Sequence, residues 1–147
     1  LELVTHAGVP ASQLRARHHF GDRPFRVLYL VLDPGRDVLD ERIDARAEAM
    51  ISAGLLQECR ALRARGYGAD LRPMQAIGYR HLMSVVDGQD TLENALVGMR
   101  RDTRHFARRQ RTWFRSVPDA VWLKPDDSQA IESRVRAFVE QGDDGAC

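Results

Sequence analysis

A chain of 147 residues, 44% hydrophobic and 29% charged, is long enough to bury one core and too short for two independent ones, and this composition excludes a low-complexity or wholly disordered polymer. Its 22 basic residues against 21 acidic give a net charge of +1, so no global charge imbalance marks it. The longest uninterrupted apolar run, Val27 to Leu32, falls far short of the roughly 20 residues that span a bilayer. Leu1 to His6 carry neither a basic nor an apolar leader pattern, and a first residue other than Met reads as an amino-terminally truncated chain. Cys59 and Cys147 give no disulfide framework or metal spacing, which makes a reducing cytoplasm the default compartment.

In chain order, Leu1 to His19 read as the end of one helix, a break at Gly8, and a short helix after Pro10 with Ser12 as its cap. Phe25 to Leu32, FRVLYLVL, is β-branched, aromatic and continuously apolar, the pattern of a strand buried on both faces of a parallel sheet. Asp33-Pro34-Gly35 ends it. A helical pattern follows from Asp37 to Ser52 with Leu39, Ile43, Ala47, Met50 and Ile51 on one side, and after Gly54 a second helix carries Leu55, Leu56, Cys59 and Leu62 to Gly66. Gly68 and Pro73 mark a loop, and Gln75 to Val86 reads as one helix ending in the Asp87-Gly88 turn. A long helix begins after Asp90, with Glu93 completing a capping spacing, and runs to Arg115 before Pro118. Ala120 to Leu123 reads as a short second strand, and Ile131, Val135, Phe138 and Val139 stripe a last helix that frays from Gly142. The fold class is α/β, predominantly helical, with one buried strand and room for a second short one.

Charge is concentrated locally. Arg100 to Arg115 hold seven arginines and one acid, Asp102, whereas Asp119 to Cys147 hold seven acids and three bases. At about 100° per residue, Arg100, Arg101, Arg104, Arg108, Arg111 and Arg115 share roughly a 100° arc. Arg109 lies outside that arc, and Leu96, Met99, Phe106, Trp113 and Phe114 take the opposing side, so the helix is expected to bury that face, Trp113 included, and to present an arginine rail. Like charges one turn apart repel by a few tenths of a kcal/mol per pair, whereas phosphates neutralised by them release counterions. The rail points to nucleic acid or phosphate, with acidic partners elsewhere in the chain as the competing reading.

Arg42 and Arg46, four residues apart, have the spacing to close over a pyrophosphate, or to pair with Asp40, Glu41 or Glu48. In MQAIGYR (74–80) a glycine among apolar residues permits close backbone approach and Tyr79 offers a stacking surface, although ordinary helix packing explains the pattern equally well. Of the five histidines, His105 is best placed to meet an anion beside the rail, and Cys59 reads as core. No phosphate loop ending in Gly-Lys-Ser/Thr, no metal-type His spacing and no nucleophile–base grouping is present.

Three segments in fixed order, RIDAR with Met50, MQAIGYR, and TRHFARRQRTWFR, resemble the tRNA dimethylallyltransferase family. The last two resemble that family's GY[KR]-centred motif and its T-R-Q-x-A-K-R-Q-x-T-W-[FL]-R helix. Gly54 with Glu58 and the opening LELVTHAGVPASQL also look like the family, so the similarity covers about residues 1–125. His105 stands where glutamine is usual and Arg108 where lysine is usual.

The resemblance implies the carboxy-terminal part of a P-loop nucleotide-kinase-like fold. Residues 1–20 would end its helical insertion, 21–125 complete the catalytic α/β domain with tRNA-contacting helices, and 126–147 form a last helix and acidic tail. It also implies transfer of a dimethylallyl group from dimethylallyl diphosphate to N6 of the adenosine 3′ of the anticodon, after the base is flipped into a channel. By resemblance, the tRNA anticodon stem-loop is met by Gln75, Ala76, Ile77, Gly78, Tyr79 and Arg80, and by Arg104, His105, Phe106, Ala107, Arg108, Arg109, Gln110 and Arg111. Arg42 and Arg46 would grip the diphosphate. A magnesium ion (Mg2+), the phosphate-binding loop and the acidic general base belong to the family's other half, so no catalytic residue and no metal ligand is assigned here. The resemblance further implies a cytoplasmic monomer when full length. A stand-alone RNA-binding module and a helical protein-interaction fragment are the alternatives.

Overall fold

The computed structural model describes residues 5–6, 8–18 and 25–143. After a short helix α1 (Ala11–His18), the apolar run from Phe25 becomes a strand only at its end, β1 (Leu30–Leu32). β1 pairs in parallel with β2 (Val121–Leu123), Leu30 opposite Val121 and Leu32 opposite Leu123. One bond at each end extends the ladder: Val121 N–H donates to Tyr29 O and Asp33 N–H to Leu123 O, both at 2.9 Å. Parallel pairing demands a long crossover, and helices supply it: α2 (Arg36–Ser52), α3 (Leu55–Ala64), a 3₁₀ turn (Arg72–Gln75), α4 (Tyr79–Val86) and α5 (Leu92–Arg115). After β2 comes α6 (Ser128–Asp143). The second strand is present as expected.

The first strand is not buried on both faces. Phe25 is 78% exposed, and Val27, Tyr29 and Leu32 are also exposed. An apolar run buries only when layers cover its sheet, and among the described residues this ladder has two strands and no further neighbour.

The core lies instead among α2, α3, α4 and α5, where Ala47, Leu55, Leu56, Cys59, Met74, Leu82, Met83, Ala95 and Met99 form one buried cluster. Their 3.6-residue spacing is the signal that located these helices. Cys59 is fully buried, and burial, reinforced by the Glu58 carboxylate, pushes its thiol pKa up. It is a core residue. The cap of α5 differs from expectation: Thr91, not an Asp90–Glu93 box, accepts the Asn94 amide at 3.2 Å, while Asp90 Oδ1 receives the Thr91 amide at 2.8 Å and Asn94 Nδ2 at 3.0 Å. Ser12 is likewise no cap; it lies inside α1, whose first turn closes on Pro10 O.

The expected single helix over Gln75–Val86 is broken. Pro73, without an amide hydrogen, opens the 3₁₀ turn, and Gly78 then turns the chain at φ 101°, ψ −72° before α4 begins. A Cβ at Gly78 would meet Leu55 Cδ2 and Met99 Cε at 3.7 Å, an ordinary contact, so the turn requires glycine for its backbone and not for space. Gly78→Ala is expected to cost about 1–3 kcal/mol by urea denaturation, the strain of a non-glycine residue held at that φ.

Candidate nucleic-acid and diphosphate site

Residues from all three motifs meet in one cleft. Between α2 and α5 lies an opening of about 430 Å³, lined by Ile43, Ala47, Met50 and Met99 and by Arg46, Ile77 and Phe106. Its walls are mainly apolar, and Arg46 is the one cation among its lining residues. Arg46 comes from RIDAR, Ile77 from MQAIGYR and Phe106 from the basic helix, segments separated by up to 60 positions. Arg42 is exposed one turn before Arg46 and does not line the cleft. Among the described residues neither arginine is ion-paired: Asp40 meets Arg36 and Arg104, and Glu48 meets Arg100. The pairing that competed with an anion role for Arg42 and Arg46 is therefore not formed.

The arginine rail divides. Arg100 reaches Glu48 and lies 3.9 Å from Asp44, while Arg104 binds Asp44 and lies 3.8 Å from Asp40. Asp40, Asp44 and Glu48 stand one turn apart on α2, so an acidic ladder faces the first rungs of the rail. Arg111 binds the Asp33 carboxylate at 2.8 Å, and Asp33 also accepts the Gly35 amide at 3.0 Å, tying α5 to the end of β1. Arg101 pairs with its neighbour Asp102 at 2.9 Å. Exposed charge remains on Arg108, which makes no ion pair among the described residues, on Arg109, whose guanidinium lies 5.8 Å over the Phe106 ring, and on Arg115, 6.0 Å over Trp122.

Sequence periodicity misplaced the aromatic side of α5. Trp113 is 61% exposed and Phe106 47%; Trp113 meets Phe114 edge-on at 4.9 Å. Only Ala95 and Met99 of this helix are buried, because α2 and α4 pack on its first half; along the second half Ala107, Arg111 and Phe114 border β1 and Trp122 and are half-buried, while Phe106 and Trp113 stay exposed. His105 and Gln110 are exposed, and Ala107 is half-buried.

In MQAIGYR, Gln75 and Ala76 are exposed, Ile77 and Tyr79 half-buried against the core, and Gly78 buried. Gln75 donates its side-chain amide to Ala69 O. The Tyr79 hydroxyl donates to Glu58 at 2.6 Å, which raises its pKa, and this bond explains the Glu58 position. Arg80 is exposed and pairs with Asp102. Asp102 collects Arg101, Arg80 and His81, and these donors hold its carboxyl well below the usual carboxylate range. Periodicity gave no hint of Asp102 or His81 as a junction. The acid inside a basic run was the available signal. Among the described residues no group of three or more His, Cys, Asp or Glu side chains is placed to hold a metal ion.

This arrangement of motifs is that of a known class: the IPP transferase family model matches residues 1–117, and the chain belongs to that family. It is 41% identical over 140 residues to the tRNA dimethylallyltransferase of Desulfatibacillum aliphaticivorans, covering 95% of this chain and 46% of that protein. The tRNA dimethylallyltransferase of Myxococcus xanthus is 42% identical over 131 residues, 89% of this chain and 42% of that protein. The fold matches the full-length tRNA isopentenylpyrophosphate transferase of Bacillus halodurans with a TM-score of 0.74 and 29% identity, over 92% of this chain and 48% of that one. The chain spans about half the length of the relatives it matches. Mostly helical with a small parallel sheet, it shares the architecture of these transferases, and no described helix is long and apolar enough to cross a membrane.

Proposed function

We propose that this chain is the carboxy-terminal portion of a tRNA dimethylallyltransferase, completing a P-loop nucleotide-kinase-like fold and supplying both tRNA surface and diphosphate-binding arginines. The observation that carries the reading is the convergence of Arg46, Ile77 and Phe106 on one apolar cleft. An apolar pocket with a cation at its rim suits a branched five-carbon chain ending in a diphosphate. Arg46, with Arg42 one turn away, stabilises the departing diphosphate as the C1–O bond of the prenyl donor breaks and adenosine N6 bonds to C1. The N6 proton passes to an acidic base that these residues do not supply. A magnesium ion would be held by residues other than those described, and would neutralise the leaving group. The turn Gln75–Arg80 and the outward side of α5, with His105, Arg108, Arg109 and Gln110, meet the anticodon stem-loop, whose adenosine is flipped outward. Residues 1–20 then belong to the helical insertion, 21–125 to the catalytic domain and 126–147 to a terminal helix, in a monomer working in the cytoplasm.

The test is single-turnover transfer from labelled dimethylallyl diphosphate to tRNA by the full-length gene product, with N6-prenyladenosine as the product. Transfer is expected. Replacing Arg42 and Arg46 together by glutamine should slow it at least tenfold with tRNA affinity unchanged, because the contact strengthens as charge develops on the leaving group. Binding of tRNA without transfer in the unmodified protein would instead favour an RNA-binding module. Slow transfer with lost tRNA affinity would move both arginines to the RNA surface.

A further inference from the structure

His81 is the third residue of α4 and bridges two elements. Its Nδ1 accepts the Gly78 amide at 3.4 Å, and its Nε2 faces Asp102 Oδ2 at 3.1 Å. Accepting through Nδ1 leaves the single ring hydrogen on Nε2, where it is donated to the carboxylate. The imidazole is therefore a strut of fixed tautomer between the Gly78 turn and the middle of α5, with its side chain only 12% exposed. The space for it is made by Gly98: a Cβ there would stand 2.9 Å from His81 Cδ2 and 3.4 Å from Nε2. Asp102, on the other side, also holds Arg80 and Arg101, so one carboxylate joins the end of MQAIGYR to the basic helix.

We infer that His81 and Asp102 are positioning residues that lock the Gly78–Arg80 turn against α5 in the geometry that receives tRNA. The inference rests on the proposed tRNA-modifying function and extends it to two residues that do not line the cleft. The turn at Gly78 is held by the Arg80 N–H donating to Ala76 O at 3.1 Å, by Ile77 and Tyr79 packing on the core and by the Tyr79–Glu58 bond, and the His81–Asp102 strut is the side-chain link that ties it to α5 near Gly98. A protein lacking the strut retains its prenyl-donor cleft and loses the preset orientation of the turn, so the deficit falls on tRNA recognition.

The experiment compares His81→Ala, Asp102→Ala, the double variant and Gly98→Ala in the full-length gene product. KM for tRNA is expected to rise about tenfold in His81→Ala, as for loss of one hydrogen bond to a charged group, with KM for dimethylallyl diphosphate unchanged. The double variant should be no worse than Asp102→Ala, since both remove the same strut. Gly98→Ala tests the geometry independently: alanine favours the helix, so a rise in KM for tRNA without loss of thermal stability reports displacement of the imidazole alone. Nitrogen-15 NMR should show His81 with protonated Nε2 and bare Nδ1. An unchanged KM for tRNA in His81→Ala, additive effects in the double variant, or a protonated Nδ1 would each overturn the inference. Should the unmodified protein fail to prenylate tRNA, the proposed function falls, while the NMR signature still decides whether the strut exists.

Discussion

Truncating Leu82 to alanine is expected to cost about 3 kcal/mol of stability, whereas Trp113→Ala should cost about 1 kcal/mol or less, although tryptophan is the larger side chain. Leu82 is 1% exposed within the cluster where α3, α4 and α5 meet, and its removal leaves a cavity that close-packed neighbours fill only in part. Trp113 keeps most of its ring in solvent and gives up chiefly one edge-on contact with Phe114. Urea denaturation of the two variants, compared at equal m-value, measures the contrast. Losses of similar size would mean that the aromatic side of α5 is covered in solution.

That contrast marks what the sequence made legible. The helices of the core were readable because each repeats apolar residues every three or four positions, and the spacing of Ile43, Ala47, Met50 and Ile51 on α2 or of Leu55, Leu56, Cys59 and Leu62 on α3 is a local property. What covers a face is not local. FRVLYLVL and the Phe106–Trp113 side carry the pattern of buried elements, yet burial depends on neighbours that no periodicity within the segment encodes. The break at Gly78 was hidden for a related reason, since a glycine with apolar neighbours is compatible with a helix until φ is known. The three motifs could be picked out singly, but their meeting in one cleft follows from how α2 and α5 cross. The acidic ladder was legible and passed over. Asp40, Asp44 and Glu48 repeat at the spacing of Arg100 and Arg104, and complementary four-residue repeats on two helices are a signal for a charged seam.

The seam changes which arginines should answer to salt. Arg108→Gln is expected to flatten the dependence of stem-loop binding on ionic strength by roughly one unit of slope, because an exposed, unpaired guanidinium releases counterions from the phosphate it neutralises. Arg104→Gln should flatten it much less. Asp44 already neutralises Arg104, so a phosphate would have to displace a carboxylate and not merely solvent. Its substitution should appear in stability, by the about 0.2–1 kcal/mol of a partly exposed ion pair, because Asp44 is left facing only Arg100 at 3.9 Å. Fluorescence titrations of anticodon stem-loop RNA into the full-length gene product at several salt concentrations separate the cases. Equal loss of slope in both variants would show that RNA opens the Arg104–Asp44 pair, making the seam a latent part of the binding surface. Unchanged slopes in both would leave the exposed arginines as solvated charge and move the stem-loop away from α5.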